Sequence, residues 1–378
     1  MTTFISQFSL RSNESASAPT IAIKDTIDIA GHPTTAGSRA LADSPPAARH
    51  ADVVQNVLDA GWHIVGKANM HELAFGMTGI NDFTGTPRNP QDPARIPGGS
   101  SSGSASAVGL ELVDAALGTD TGGSIRGPAA CCGVIGLKPT FGRVSRVGVA
   151  PAESSLDCVG PFARDMRTLI AAMAGIDPTF GIGAASEGRT GINIACVSVE
   201  ADADILKAVQ NAVDRVGGNT RSIELHLLQD AFDAGLAVIN AETSRAFGHL
   251  AGAGRLGADL EARLRLAAAT TAEQLEAAEQ VRRRFTEAVD HALADVDVLV
   301  MPTLPTLPIT VEAARSGTSV IAMSSLIRPF NLSGHPALSM PIPVANSSLN
   351  AGLQIIGRKG ADERVCAVAA CFEAALAA

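Results

Sequence analysis

No two cysteines of this chain stand in a C-x-x-C pair. The six that occur, Cys131, Cys132, Cys158, Cys196, Cys366 and Cys371, lie in small-residue or apolar settings. Free cysteine in such settings behaves as a small buried hydrophobe, so neither a disulfide framework nor a thiolate metal site is expected. Basic residues are also scarce: 29 Lys and Arg against 38 Asp and Glu leave a net charge of −9. That balance argues against a nucleic-acid partner or an anionic membrane surface. The basic cluster Arg282-Arg283-Arg284 sits in a helical pattern and reads as a solvated helix face. No apolar run approaches the roughly 18–20 residues of a spanning helix. The opening residues lack the basic start and apolar core of a secretory signal, so a cytoplasmic protein is expected.

Several catalytic signatures are missing as well. No Gly-Lys-Ser/Thr follows a glycine loop, so there is no Walker A pattern. His71-Glu72 lacks the second histidine of a zinc helix, and no metal is expected. Gly252-Ala253-Gly254-Arg255-Leu256-Gly257 spells G-x-G-x-x-G, but it follows a polar, helical stretch rather than a buried strand. No dinucleotide or other cofactor is therefore expected. The eight histidines are scattered, and no G-x-S-x-G elbow accompanies them, although spacing alone does not exclude a Ser-His-Asp triad.

What is present begins with bulk. At 378 residues and 46% hydrophobic, the chain can build a sizeable core. Residues 20–23 read as a short apolar strand ending at Lys24. Residues 52–60 are helical by spacing, with Val53, Val54, Val57 and Leu58 on one side, and Gly61 stops them before a strand at 62–65. A helix of small residues is predicted over 103–109, and strands over 113–117 and 296–301. Helices are predicted at 204–216 and 361–376, with one long helix or two over 260–294. Strands alternating with helices argue an α/β fold. Residues 1–19 read as a loose arm, 20–378 as one domain, and 160–330 as a variable cover over the site.

Two glycine-flanked serine clusters stand out: Gly98-Gly99-Ser100-Ser101-Ser102-Gly103-Ser104-Ala105 and Gly118-Thr119-Asp120-Thr121-Gly122-Gly123-Ser124-Ile125-Arg126. Glycine permits positive φ and close approach of backbone to a ligand. A serine hydroxyl can be nucleophile, relay or donor. A lysine can act as a base once burial lowers its pKa. Lys24, with Lys67 as a rival after the next apolar strand, completes a set of parts for acyl transfer through a serine ester. Lys138, before Pro139, reads as structural. Arg126 has Asp120, Asp157 or a substrate carboxylate as prospective partners, of which a structural pair is favoured.

Together with Cys132-Gly133-Val134-Ile135-Gly136-Leu137-Lys138-Pro139-Thr140-Phe141-Gly142-Arg143-Val144-Ser145, Ser154-Ser155-Leu156-Asp157 and Phe330-Asn331-Leu332-Ser333-Gly334-His335-Pro336-Ala337, these motifs resemble the amidase signature family of serine hydrolases. The resemblance runs from about residue 20 to the C-terminus and weakens in the middle. It implies a single large α/β domain with a mixed central sheet covered by helices. It implies Ser124 as nucleophile, Ser100 after a cis peptide bond as relay, and Lys24 as base. The backbone N–H groups of Thr121, Gly122, Gly123 and Ser124 would hold the oxyanion. Ser102 stands where many members have glycine, a variant similar to the malonamidase-type branch. The implied activity is hydrolysis of a small-molecule amide, with room for a homodimer or a small partner subunit. One alternative is the A-subunit of a glutamyl-tRNA amidotransferase, which the shortness of the chain weighs against. The other is a non-catalytic amidase-like partner, which the intact Lys24, Ser100 and Ser124 weigh against.

Overall fold

The computed structural model describes residues 2–12, 17–188 and 191–378. The apolar segments pair into one mixed sheet. Its strands are β1 Phe4–Leu10, β2 Thr20–Lys24, β3 His63–Ala68, β4 Ala115–Asp120, β5 Ile135–Lys138, β6 Cys158–Ala163, β7 Asn193–Val197, β8 Asn219–Ile223, β9 Val298–Pro302, β10 Ala337–Pro343 and β11 Asn350–Ile356. Their order across the sheet is β1-β3-β2-β4-β6-β5-β10-β11-β9-β7-β8. β2 runs parallel to β3 and β4, and β7 runs parallel to β8 and β9, while the remaining pairs are antiparallel. Every residue of β4 and of β9 is buried, as strands covered by helices on both faces require. The result is the expected single α/β unit. Among the described residues no helix is long and apolar enough to cross a membrane.

The sheet reaches further toward the N-terminus than expected. Part of the supposed loose arm, Phe4–Leu10, is the edge strand β1, antiparallel to β3. Phe8 and Leu10 pack against the main core, which holds it down. Gly66 makes the pairing physically possible, since a Cβ there would collide with the Ser6 carbonyl. Residue 1 and residues 13–16 of the supposed arm lie outside the described residues. The middle of the chain likewise holds more than a cover: β7, β8 and β9 all come from it.

Local physics accounts for the helices around the site. Asp52–Asp59 buries Val53, Val54, Val57 and Leu58, the face that spacing predicts. Ser102–Gly109 buries Ser102 through Val108 and can lie this close only because its residues are small. A Cβ on Gly103 would collide with the Asn69 backbone. The alternative of two helices holds over 260–294: Ala258–Ala267 and Ala272–Ala292 are separate, because Thr271 and Gln274 form a capping box that starts the second. None of the six cysteines forms a disulfide, and burial raises the thiol pKa of Cys131, Cys132, Cys158 and Cys366.

Candidate active site

Three elements converge at the end of β2 and β4. β2 delivers Lys24 as its last residue. The loop before the helix Ser102–Gly109 carries Ser100, and the turn after β4 carries Ser124. The Gly99–Ser100 peptide bond is cis, as the family resemblance implies. The two serine segments are tied together by the Ser101 N–H, which donates to the Ser124 carbonyl at 3.3 Å.

Lys24 is wholly buried. Its Nζ lies 2.7 Å from Ser100 Oγ, 2.8 Å from Thr119 Oγ1 and 3.4 Å from the Thr119 carbonyl. Burial lowers its pKa to about 7, while the nearby Asp157 and Asp120 charges oppose a further fall. Near neutrality Lys24 can therefore both accept and return a proton. Thr119 had no motif signal of its own. Its position two residues before Thr121, on the strand that feeds the serine turn, is the clue that could have found it.

The turn is built by Asp120. Its carboxylate accepts from the N–H of Gly123 at 2.7 Å, of Ile125 at 3.1 Å and of Arg126 at 3.4 Å. It also forms a fully buried ion pair with Arg126 at 3.0 Å. Burial by itself would raise the Asp120 pKa, but the Arg126 charge and hydrogen bonds from Arg126 and Asn331 hold it well below the carboxylate range. Arg126 is thus the structural partner of Asp120, and it donates further to the Ile327 carbonyl, Gln354 and Asn331. Asp157 instead binds Arg146 at 3.0 Å and the Thr121 hydroxyl at 2.8 Å. Gly123 has φ +114°, and a Cβ there would collide with Ile327, so only glycine fits. One expectation changes: the Gly123 N–H is committed to Asp120. The N–H groups of Thr121, Gly122 and Ser124 have no hydrogen-bond partner among the described residues.

Thr121, Gly122 and Ser124 line a cleft of about 760 Å³. Helical segments of the middle region form its other wall, including Leu236 and Ile239, and Leu266 and Ile321 line it while remaining 74% and 56% exposed. His71 lines it too, and its backbone N–H donates to the Ser100 carbonyl at 2.9 Å. Burial, with the charges of Arg263 and Lys24, pushes the His71 pKa down to about 3, so its ring is neutral.

Other residues singled out in the sequence are engaged in contacts of their own, although Glu72 and Gly257 also line the cleft. Lys67 is held by Asp25 at 2.9 Å, the Pro33 carbonyl at 3.0 Å and the Thr34 hydroxyl at 2.9 Å. Lys138 is buried and donates to the Pro139 carbonyl at 2.9 Å. Glu72 accepts from Ser38 at 2.7 Å and from the Gly257 N–H at 3.0 Å. The Gly252 to Gly257 loop follows a short 3-10 turn, not a strand. His335 lies between Ser333 at 3.0 Å and Asp290 at 2.9 Å, but these three residues are not among those lining the cleft.

A sequence model of the family named Amidase matches residues 19–179 and 189–366. The A-subunit of the glutamyl-tRNA(Gln) amidotransferase of Methanospirillum hungatei is 34% identical, covering 94% of this chain and 92% of that protein. The fatty acid amide hydrolase of Arabidopsis thaliana is 33% identical, covering 93% of this chain and 64% of that protein. The crystal structure of the glutamyl-tRNA(Gln) amidotransferase A-subunit from Thermotoga maritima superposes with a TM-score of 0.83 at 32% identity, covering 98% of this chain and 86% of that one.

Proposed function

The chain belongs to the amidase family, and from that premise we propose that it hydrolyses a small carboxylic amide to the acid and ammonia or an amine through an ester on Ser124. The observation that carries this reading is the buried Lys24 Nζ, 2.7 Å from Ser100 Oγ, with a pKa of about 7. Neutral Lys24 takes a proton from Ser124 by way of Ser100. Ser124 Oγ bonds to the carbonyl carbon, and the carbonyl electron pair moves onto oxygen. The N–H groups of Thr121, Gly122 and Ser124 receive that oxyanion, and removing one such donor typically costs about 2.7–4 kcal/mol of barrier. The C–N bond then breaks as the proton returns through Ser100 to the leaving nitrogen. Water attacks the ester by the same relay, which releases the acid and regenerates Ser124. We assign the enzyme to the cytoplasm, acting alone, as a homodimer or with a small partner subunit.

The test is ammonia release from a panel of amides, read beside mass spectrometry of the protein treated with a fluorophosphonate. Expected are turnover of at least one amide and a single adduct at Ser124. An adduct on another serine defeats the assignment. A second reading, the A-subunit of an amidotransferase, is favoured by the relatives of that name. Length does not separate the two readings, since the chain spans 92% of the Methanospirillum hungatei protein. Glutamine as the sole amide cleaved would favour the second.

A further inference from the structure

Three arginines line the cleft: Arg263, Arg315 and Arg328. Arg263 is answered by Asp259 at 2.8 Å and Arg315 by Asp82 at 3.0 Å. Arg328 has no carboxylate within ion-pair distance among the described residues, yet it is only 6% exposed. Its Nη2 donates to Ser324 Oγ at 2.7 Å, and its Nη1 reaches the Phe232 carbonyl at 3.4 Å. Its guanidinium carbon lies 4.2 Å over the Phe232 ring. Its Nε–H, fully buried, has no acceptor. The carboxylate that acts on it, Asp233, is exposed to solvent. Burial lowers the Arg328 pKa to about 10, which leaves it charged at neutral pH. A buried cation without a counter-charge is strongly unfavourable, and an arriving anion relieves that penalty.

The position of this charge ties it to the chemistry. Arg328 Nε is 3.6 Å from where a Cβ would stand on Gly122. Gly122 is two residues from Ser124, and two extended residues span at most about 7 Å. An anion bound at Arg328 is therefore a short acyl chain away from the nucleophile. We propose that Arg328 receives a carboxylate of the substrate, so that the amides cleaved are short acids bearing the carboxamide at one end and the carboxylate at the other. This rests on the acyl-transfer reading of Ser124. Guanidinium matches a carboxylate through parallel N–H donors, a geometry that lysine lacks.

The test compares succinamate with succinamide, which differ in one terminal group. Wild type should favour succinamate by about tenfold or more in kcat/KM, mostly through KM, as expected for a charge-assisted hydrogen bond. Arg328→Gln should bring that ratio to near unity, and Arg328→Lys should leave it in between. Succinate should inhibit wild type competitively, and succinamide far more weakly. Should Arg328→Gln fail to fold, the wild-type preference and the Arg328→Lys variant carry the test. Fluorophosphonate labelling of Ser124 is read in parallel. Labelling without a carboxylate preference overturns the Arg328 assignment alone. Absence of labelling overturns the acyl-transfer reading and this one with it.

Discussion

Asp120 and Arg126 form an ion pair 3.0 Å apart with no exposure to water on either side chain, and the residues between them include Ser124. Because the same carboxylate takes three backbone N–H groups of the turn, the pair shapes the loop that carries Ser124 as well as neutralising charge. Breaking a buried pair by removing one partner costs roughly 3–5 kcal/mol. Arg126→Met should lower stability on that scale in urea denaturation. It should also reduce Ser124 labelling under conditions where the variant is still folded. Unchanged labelling in the folded variant would show that the pair serves stability alone.

Lys24 must be neutral to act as base, and burial lowers its pKa to about 7. The acid limb of kcat/KM should therefore rise with pH through neutrality and level off on the alkaline side. Lys24→Ala should lose several orders of magnitude. Lys24→Arg should do no better, because guanidinium stays protonated. A pH profile unchanged in Lys24→Ala, with near wild-type turnover, would remove Lys24 from the mechanism.

The same group should leave a mark on stability. In the unfolded chain a lysine holds its proton up to 10.5, whereas in the folded chain Lys24 releases it near 7. Between those values the unfolded state binds more protons, so native stability should rise with pH. Lys24→Met should flatten that part of the curve, measured as the denaturation midpoint from about pH 7 to about pH 10. An equal slope in the variant would contradict a depressed Lys24 pKa.

Lys67 provides the contrast, since its ammonium is held 2.9 Å from Asp25 in a pair of which each side chain is 1% exposed. Lys67→Met should destabilise the protein by roughly 3–5 kcal/mol through the orphaned carboxylate. It should still label at Ser124 and keep the pH profile of wild type. A shifted acid limb would make Lys67, not Lys24, the titrating group.

Legibility followed the kind of signal. Ser100 and Ser124 sit in short glycine-rich segments whose composition has few purely structural uses, and Lys24 ends a short apolar strand, so all three stand out as site candidates in the sequence. The helix at Asp52–Asp59 was visible because its apolar residues recur at helical spacing. Phe4–Leu10 was not, because an edge strand alternates weakly and its pairing depends on a gap at Gly66, far along the chain. β7 and β8 were missed for a related reason: every residue of Asn193–Val197 and Asn219–Ile223 pairs within the sheet, yet β8 is mostly exposed and polar. The middle segment looked like cover because its helices are long, whereas its strands are five residues each. Arg328 carries no local pattern either; only its burial and its missing counter-charge single it out.

Apart from Asp120, the partners of Arg126 lie far along the chain: Ile327, Asn331 and Gln354 are 201, 205 and 228 residues downstream. Contacts of such separation form late, since closing long loops delays the reward of the contact. An N-terminal fragment ending before β11 would contain Lys24, Ser100 and Ser124 but not the acceptor Gln354. Reactivity of the serine should accordingly appear as a late event in refolding, after the β2–β4 half of the sheet has gained its secondary structure. A nascent chain emerging from the ribosome would then remain chemically silent until nearly its whole length is available.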